Sequence, residues 1–264
     1  MSAMKKPFFE IRNANVWRGD VLALRNLSLV LTENENVAIL GANGAGKSSL
    51  LKLMTGELRV EVISNSLCEL FGEELWCLEE LRHRIGIVMP EEVSRFVDDE
   101  IASDVVLSVF RGAYGRTREM RFRAIEKQLA LEAMTTTGVA ELKQRFFGQL
   151  SSGEKRRLLI ARAMVHAPEI LVLDEPSTAL DFAARLAMLG QLRNMAETTK
   201  SIVLVTHDPS EIFPEIDRLI LLKAGRIIAD GPKRKILTSA ALSEFYGIPI
   251  KLHWNHGWPL ASPT

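Results

Sequence analysis

The sequence predicts an open α/β fold, a buried parallel sheet with ligand-binding loops at the ends of its strands. Three observations lead there. Short apolar runs recur at Val37–Leu40, Ile85–Met89, Ile170–Leu173 and Ile202–Val205, as expected of strands covered on both faces. The first runs straight into a glycine-rich turn and then a helical stretch, Lys47–Met54. The last two end in residues able to carry chemistry, Asp174-Glu175 and Thr206-His207-Asp208, where open α/β sheets hold their ligands.

Taken in order, the chain opens with loosely alternating segments, Phe8–Arg12, Asn15–Trp17 and Leu27–Leu31, which read as strands broken by the turn Arg18-Gly19-Asp20. From Glu91 to Leu150 the sequence is charged and helical in character. In Arg118–Met134 the apolar residues Phe122, Ile125 and Leu129 recur at helical spacing, which predicts a helical subdomain inserted into the α/β core. Its arginines, Arg111, Arg116, Arg118, Arg121 and Arg123, form either a solvated helix face or a docking patch. Arg218–Leu222 and Arg226–Asp230 flank Lys223-Ala224-Gly225 as a hairpin, and Ser239–Phe245 reads as a small helix. The expected organisation is residues 1–90 for the β subdomain and first half of the core, and 91–158 for the helical insert. Residues 159–231 are the second half of the core, and 232–264 a C-terminal helical extension and tail. His253 and His256 in that tail stand three apart with no third ligand nearby, so the reading is an ordered or fraying extension rather than a metal site.

Composition narrows the function classes. Of 264 residues, 47% are hydrophobic and 25% charged, which excludes a wholly disordered or collagen-like chain. Lysine and arginine, 33 together, balance 33 aspartates and glutamates, which argues against a chain-wide electrostatic hold on nucleic acid or anionic lipid. Cys68 and Cys77 are too few for a disulfide scaffold and lack zinc-ligand spacing, so they read as reduced thiols of a cytosolic protein. No apolar run approaches the ~20 residues of a spanning helix, nor is there a signal-peptide stretch behind Lys5 and Lys6. Work at a membrane would need another chain to cross it.

Gly41-Ala42-Asn43-Gly44-Ala45-Gly46-Lys47-Ser48 fits the phosphate-binding loop in full, placed between a strand and a helix as its mechanism requires. Glycines let the backbone wrap the phosphates, with amide N–H groups and the helix N-terminus facing the negative charge. Lys47 is positioned for the β- and γ-phosphates of a nucleotide and the Ser48 hydroxyl for Mg²⁺; Ser49 completes the loop. Asp174 and Glu175, adjacent at a strand end, point to opposite faces. One carboxylate can hold the water shell of Mg²⁺ while the next polarises an attacking water.

With Leu150-Ser151-Ser152-Gly153-Glu154 just before that strand, the sequence closely resembles the ATP-binding-cassette (ABC) ATPases over roughly residues 8–247, its motifs in the family's order. The resemblance implies a P-loop NTPase (RecA-like) core with an N-terminal antiparallel β subdomain and an inserted helical subdomain. It implies Trp17 as the aromatic stacked on adenine, Asp174 at Mg²⁺, Glu175 as general base and His207 as the switch histidine on the γ-phosphate. Ser177–Asp181 corresponds to the loop linking two active sites. Ser151, Ser152, Gly153 and Glu154 correspond to the signature that caps ATP bound to another subunit, so two cassettes, identical or homologous, are expected to close head to tail around two ATP.

Two departures from the family pattern stand out. The signature reads Ser-Ser-Gly-Glu where Ser-Gly-Gly-Gln is usual, adding a side chain at Ser152 and a charge at Glu154 that Lys155, Arg156 and Arg157 are placed to offset. The family's Mg²⁺-contacting glutamine is replaced by Pro90, with Glu91 and Glu92 following. Proline has no side-chain ligand, and Glu91 is the substitute one residue on. The resemblance further implies a peripheral protein on the cytoplasmic face of a membrane, driving a separate permease. The segment Gly231–Pro249 is similar to importer cassettes for metal chelates and oxyanions, and Pro90 to the molybdate-type branch. The alternatives are an exporter cassette, a soluble ABC protein acting on ribosomes or DNA, and an ATP-binding switch. A nucleic-acid partner is not expected.

Overall fold

The computed structural model describes residues 6–196 and 201–264. In chain order the elements begin with β1 (Pro7–Arg18), β2 (Val21–Thr32), β3 (Val37–Leu40), α1 (Lys47–Met54), β4 (Leu67–Leu70) and α2 (Leu78–Arg84). There follow β5 (Ile85–Val88), α3 (Ala102–Leu107), α4 (Ala124–Thr136), α5 (Ser152–Met164), β6 (Ile170–Asp174) and α6 (Phe182–Ala196). The chain ends with β7 (Ser201–Thr206), β8 (Arg218–Lys223), β9 (Arg226–Pro232), α7 (Lys233–Ile236), α8 (Ser239–Tyr246), β10 (Ile250–Asn255) and β11 (Trp258–Pro263). Two compact units result: one holds the described residues up to Arg82 and those from Ser201 on, the other those from His83 to Ala196. The mixed α/β architecture agrees with the expected fold class.

In the first unit β3 lies between β7 and β8, parallel to both, with Ile39 opposite Val205 and Ile220; β9 runs antiparallel along β8. Every residue of β3 and β7 is buried. That two-sided burial is why these strands are runs of valine, isoleucine and leucine rather than alternating patterns. A separate antiparallel sheet has the order β2-β1-β4. The two N-terminal segments expected as separate strands are one strand here. Asn13, at φ 47°, absorbs an irregularity in register between Ile11 and Ala14, and its N–H donates to Ser28 Oγ at 3.0 Å. Asparagine tolerates that left-handed backbone better than most residues.

In the second unit β5 and β6 pair in parallel, Ile87 opposite Val172. Within the helical insert, the helix expected from the spacing over Arg118–Met134 begins later. Residues 118–123 are not helical, and α4 starts at Ala124 because the Glu126 carboxylate accepts the Arg123 N–H at 2.7 Å. The buried face of α4 is Glu126, Ala130, Ala133 and Met134, whereas Ile125 is exposed. Buried Glu126 is compensated by Arg111, whose guanidinium donates to both carboxylate oxygens at 3.1 and 3.0 Å, and by Arg123. Hydrogen bonds from Arg111 hold its carboxyl down at about 2. Arg116 is tied to Asp104 at 2.9 Å, so Arg111, Arg116 and Arg123 of the five candidate arginines serve the insert's own structure.

At the base of β5 and β6, the His83 and His166 rings stack with centroids 4.1 Å apart, and Phe110 meets His166 edge-on. Burial, His83 and Arg162 push the His166 pKa below its ordinary 6.5. Arg84, beside His83, is paired with Glu169 at 2.9 Å. The fold therefore disfavours a proton that the unfolded chain accepts. This contribution to stability is complete above pH ~6.5 and is lost as pH falls below it. Chemical denaturation between pH 8 and 5 is expected to show that fall, flattened in His166→Gln.

Candidate nucleotide site

The loop after β3 is built so that only glycine fits where glycine stands. A Cβ on Gly41 would meet the Leu222 carbonyl oxygen at 2.9 Å, and one on Gly46, at φ 107°, would meet Leu24 Cδ2 at 2.8 Å. Gly44 also takes a positive φ, 78°. The loop thus closes on itself and leads into α1, whose N-cap residue, Gly46, offers no side-chain cap. The first N–H groups of that helix face outward toward whatever anion the loop receives. Lys47 is buried, with its ammonium donating to the carbonyls of Gly41 at 2.7 Å and Ala42 at 3.2 Å. Ala42, Asn43, Gly44 and Ser48 are exposed, whereas Ala45 and Ser49 are buried. Trp17, opposite Leu22 at the end of β1, is 45% exposed.

His207 lies beside this loop because β3 and β7 are in register, Leu40 opposite Thr206, and the Gly41 N–H donates to the Thr206 carbonyl at 3.1 Å. The phosphate-loop entrance and the histidine therefore leave neighbouring strand ends. His207 itself is exposed. Beneath it, the Thr206 hydroxyl donates to Glu211 at 2.5 Å and accepts the Asp208 N–H at 3.0 Å.

The second unit gathers the other predicted residues. Asp174 closes β6 and is buried; Glu175, next, is held at φ 46°, and its carboxylate accepts the Thr178 hydroxyl at 3.2 Å. A left-handed glutamate costs conformational energy, and such strain concentrates at functional positions. Asp181 caps α6, accepting the Ala184 N–H at 2.8 Å. Ser151 caps α5, accepting the Glu154 N–H at 3.3 Å, while Glu154 accepts the Ser151 N–H at 2.7 Å. This capping box explains the charge in the signature. Hydrogen bonding from Ser151, with Arg145 and Arg157 in support, keeps the Glu154 carboxyl below its usual range. Of the three basic residues expected to offset it, only Arg157 contributes. Arg145 is the ion partner, at 3.6 Å, while Lys155 lies over the Phe147 ring and Arg156 is buried. Gly153 sits where a Cβ would be an ordinary 3.5 Å from Ala184, so packing within the chain does not demand a glycine there. That contact also sets the start of α5 against the start of α6.

Pro90 opens a 3-10 turn, Pro90–Arg95. Glu92 is drawn inward, accepting the Met89 N–H and the Tyr114 hydroxyl, each at 3.3 Å, and burial raises its pKa. Glu91 is exposed.

One contributor to the loop is visible only in the structure. Gly225, in the hairpin turn between β8 and β9, donates to the Ala45 carbonyl and accepts from Arg25 N–H, both at 2.9 Å. A Cβ there would stand 2.4 Å from the Ala23 carbonyl, and φ is 75°. The Ala-Gly dipeptide announces a turn, but not that the turn backs the phosphate loop. Gly225→Ala is expected to destabilise the protein by about 2 kcal/mol and to weaken ATP binding. Thermal denaturation with and without ATP checks both.

The likeness to known proteins matches this geometry. A family model described as ABC transporter matches residues 24–178. The chain belongs to the ABC transporter family. The cassette is 34% identical over 260 residues to the uncharacterized ABC transporter ATP-binding protein YlmA of Bacillus subtilis, covering 95% of each chain. It is 32% identical to the hemin import ATP-binding protein HmuV of Photobacterium damselae, covering 94% of this chain and 93% of the relative. It is also 33% identical to the Nod factor export ATP-binding protein I of Burkholderia lata, covering 90% and 76%. Among solved structures, cbiO1 of Clostridium perfringens, part of the transporter complex cbiONQ, is 25% identical with a TM-score of 0.75, covering 91% and 94%. The chain is thus an ATP-binding, ATP-hydrolysing subunit of an ABC transporter. No helix among its described residues is long and apolar enough to cross a membrane.

Proposed function

We propose that the cassette closes head to tail with a second cassette around two ATP and drives a separate membrane permease in uptake, from the cytoplasmic face. The observation that carries this reading is the glycine-built loop with its buried Lys47 and uncapped helix start, beside the strand end that presents His207. In this reading the loop, Gly41 to Ser49, binds the phosphates and Trp17 the adenine. Glu175 takes the proton of the attacking water, and His207 contacts the γ-phosphate. Hard oxygen donors suit Mg²⁺, and the roles assigned to the Ser48 hydroxyl and the Asp174 carboxylate follow the family resemblance. Held by such oxygens, Mg²⁺ would supply positive charge to offset that of the phosphates. Ser151, Ser152, Gly153 and Glu154 cap the partner's ATP. Gly153 supports this, being a glycine that internal packing does not require. Asp181 belongs to the loop linking the two sites.

Exposed Glu91 stands in for the missing glutamine, since Glu92 is engaged with Met89 and Tyr114. Glu91→Ala is therefore expected to raise the Mg²⁺ concentration needed for half-maximal turnover; an unchanged requirement removes Glu91 from the site. Uptake, with a metal chelate as cargo class, is supported by the hemin-import relative. Tagged protein drawn from solubilised membranes of its host is expected to bring down a polytopic membrane protein. Recovery of ribosomes or DNA-bound proteins instead would overturn the transport reading, and an export-type permease would overturn uptake.

A further inference from the structure

The C-terminal segment grips the loop that carries His207. Tyr246, the last residue of α8, donates its hydroxyl to the His207 carbonyl at 2.8 Å. Burial, and then Asp208, push the Tyr246 pKa up, so the ring keeps its proton and the O–H is a donor at any working pH. The helix end that bears Tyr246 is fixed by Lys223, whose ammonium donates to the Phe245 carbonyl at 2.8 Å, and by a Phe245–Tyr246 edge contact with centroids 4.9 Å apart. Behind α8 stands the hairpin of β10 and β11. The Ile250 N–H donates to Ser243 Oγ at 2.9 Å and the Leu252 N–H to Ser239 Oγ at 3.0 Å. The hairpin's other strand, β11, packs on the turn Pro209–Glu211 that follows His207, and its own turn, at Gly257, lies against Pro214.

His207 is therefore held from two directions. From within its loop, hydrogen bonds among Thr206, Asp208, Ser210 and Glu211, at 2.5 to 3.0 Å, order the backbone after it. From outside, α8 fixes its carbonyl, and the hairpin backs the turn beyond. Because Gly41 is bonded to the Thr206 carbonyl, one residue before, a shift of the histidine's peptide would be felt at the entrance of the phosphate loop.

We infer that Tyr246 is a positioning residue for ATP hydrolysis, through which the C-terminal segment sets the place of His207. The inference rests on the reading of His207 as the γ-phosphate contact. It predicts that Tyr246→Phe, which keeps the ring and removes one hydrogen bond, lowers kcat about three- to tenfold. KM for ATP should stay within about twofold, because the phosphate loop is untouched. The melting temperature should fall by no more than about 3 °C. Hydrogen exchange of the His207, Asp208, Ser210 and Glu211 amides should quicken in the full-length variant whatever its turnover. Unchanged exchange overturns the inference, as does quickened exchange with wild-type kcat. A drop in kcat accompanied by a melting temperature lowered by ten degrees would also overturn it, as general unfolding. His207→Ala, assayed alongside, separates the two readings. Wild-type turnover in His207→Ala removes the role of the histidine. A crippled His207→Ala beside a wild-type Tyr246→Phe overturns the positioning role alone.

Discussion

Glu175→Gln is expected to lower ATP turnover by two to four orders of magnitude while leaving ATP binding intact. The substitution is nearly isosteric, and glutamine's side-chain oxygen can still accept the Thr178 hydroxyl that Glu175 accepts at 3.2 Å. It also inherits the same left-handed backbone, φ 46°, so the turn after β6 should survive. What is lost is the basic carboxylate. A positioned general base contributes about 10²- to 10⁴-fold, equivalent to roughly 3–5 kcal/mol of barrier. With hydrolysis stopped and binding kept, ATP should accumulate in the closed pair, visible as an ATP-dependent dimer by light scattering. Turnover within a few-fold of wild type would remove Glu175 as the base, and failure to dimerise with ATP would count against the head-to-tail pair. The dimer is informative once turnover has fallen: lost turnover without an ATP-dependent dimer removes the head-to-tail pair and leaves Glu175 as the base.

Sequence reasoning reached the features whose physical cause is local. The phosphate loop is recognisable because glycines, lysine and serine at fixed spacing are what a short backbone cradle needs. The structure shows why each glycine is there: Leu222 and Leu24 fill the space a side chain would take at Gly41 and Gly46, and Gly44 takes a positive φ. Strands β3, β6 and β7 were readable from two-sided burial alone. Other features depend on partners distant in sequence. β4 is four residues, mostly half-buried, and exists by pairing with β1 at Phe9 and Leu70. The apolar spacing misses the buried face of α4 because that face begins with a glutamate in the first turn, paired with an arginine fifteen positions earlier. The C-terminal hairpin did carry a signal. Ile250, Leu252 and Trp254 alternate with the exposed Lys251, His253 and Asn255 ahead of the His256-Gly257 turn. Of the ordered or fraying extension expected around the two histidines, the structure has the ordered form, a hairpin with Arg234 stacked on Trp254 at 4.4 Å. Tyr246 and Gly225 act through the backbone of other segments, and no local pattern marks such a role.

Lys47→Ala is expected to weaken ATP binding by about a hundredfold. The lysine has two tasks that share one ammonium. It ties the loop to itself through the carbonyls of Gly41 and Ala42, and it places a positive charge where the β- and γ-phosphates are proposed to lie. Hydrogen bonds involving a charged group contribute about 1.5–3 kcal/mol each, and a loss of 2.7 kcal/mol or so is two decades in Kd. Folding should suffer much less. The remaining loop is shaped by glycine sterics and by the Gly225 N–H on Ala45, neither of which involves the side chain. Titration with a fluorescent ATP analogue and a melting curve without nucleotide separate the two tasks. A hundredfold rise in Kd with a melting temperature within a few degrees of wild type places the effect at the phosphates. An equal loss in Lys47→Gln would follow, since an amide can keep a hydrogen bond to the loop carbonyls but carries no charge for the phosphates. Recovery of binding in Lys47→Gln would mean instead that the lysine matters as the loop's internal tie, and that the helix N-terminus and the loop's amides hold the anion without it.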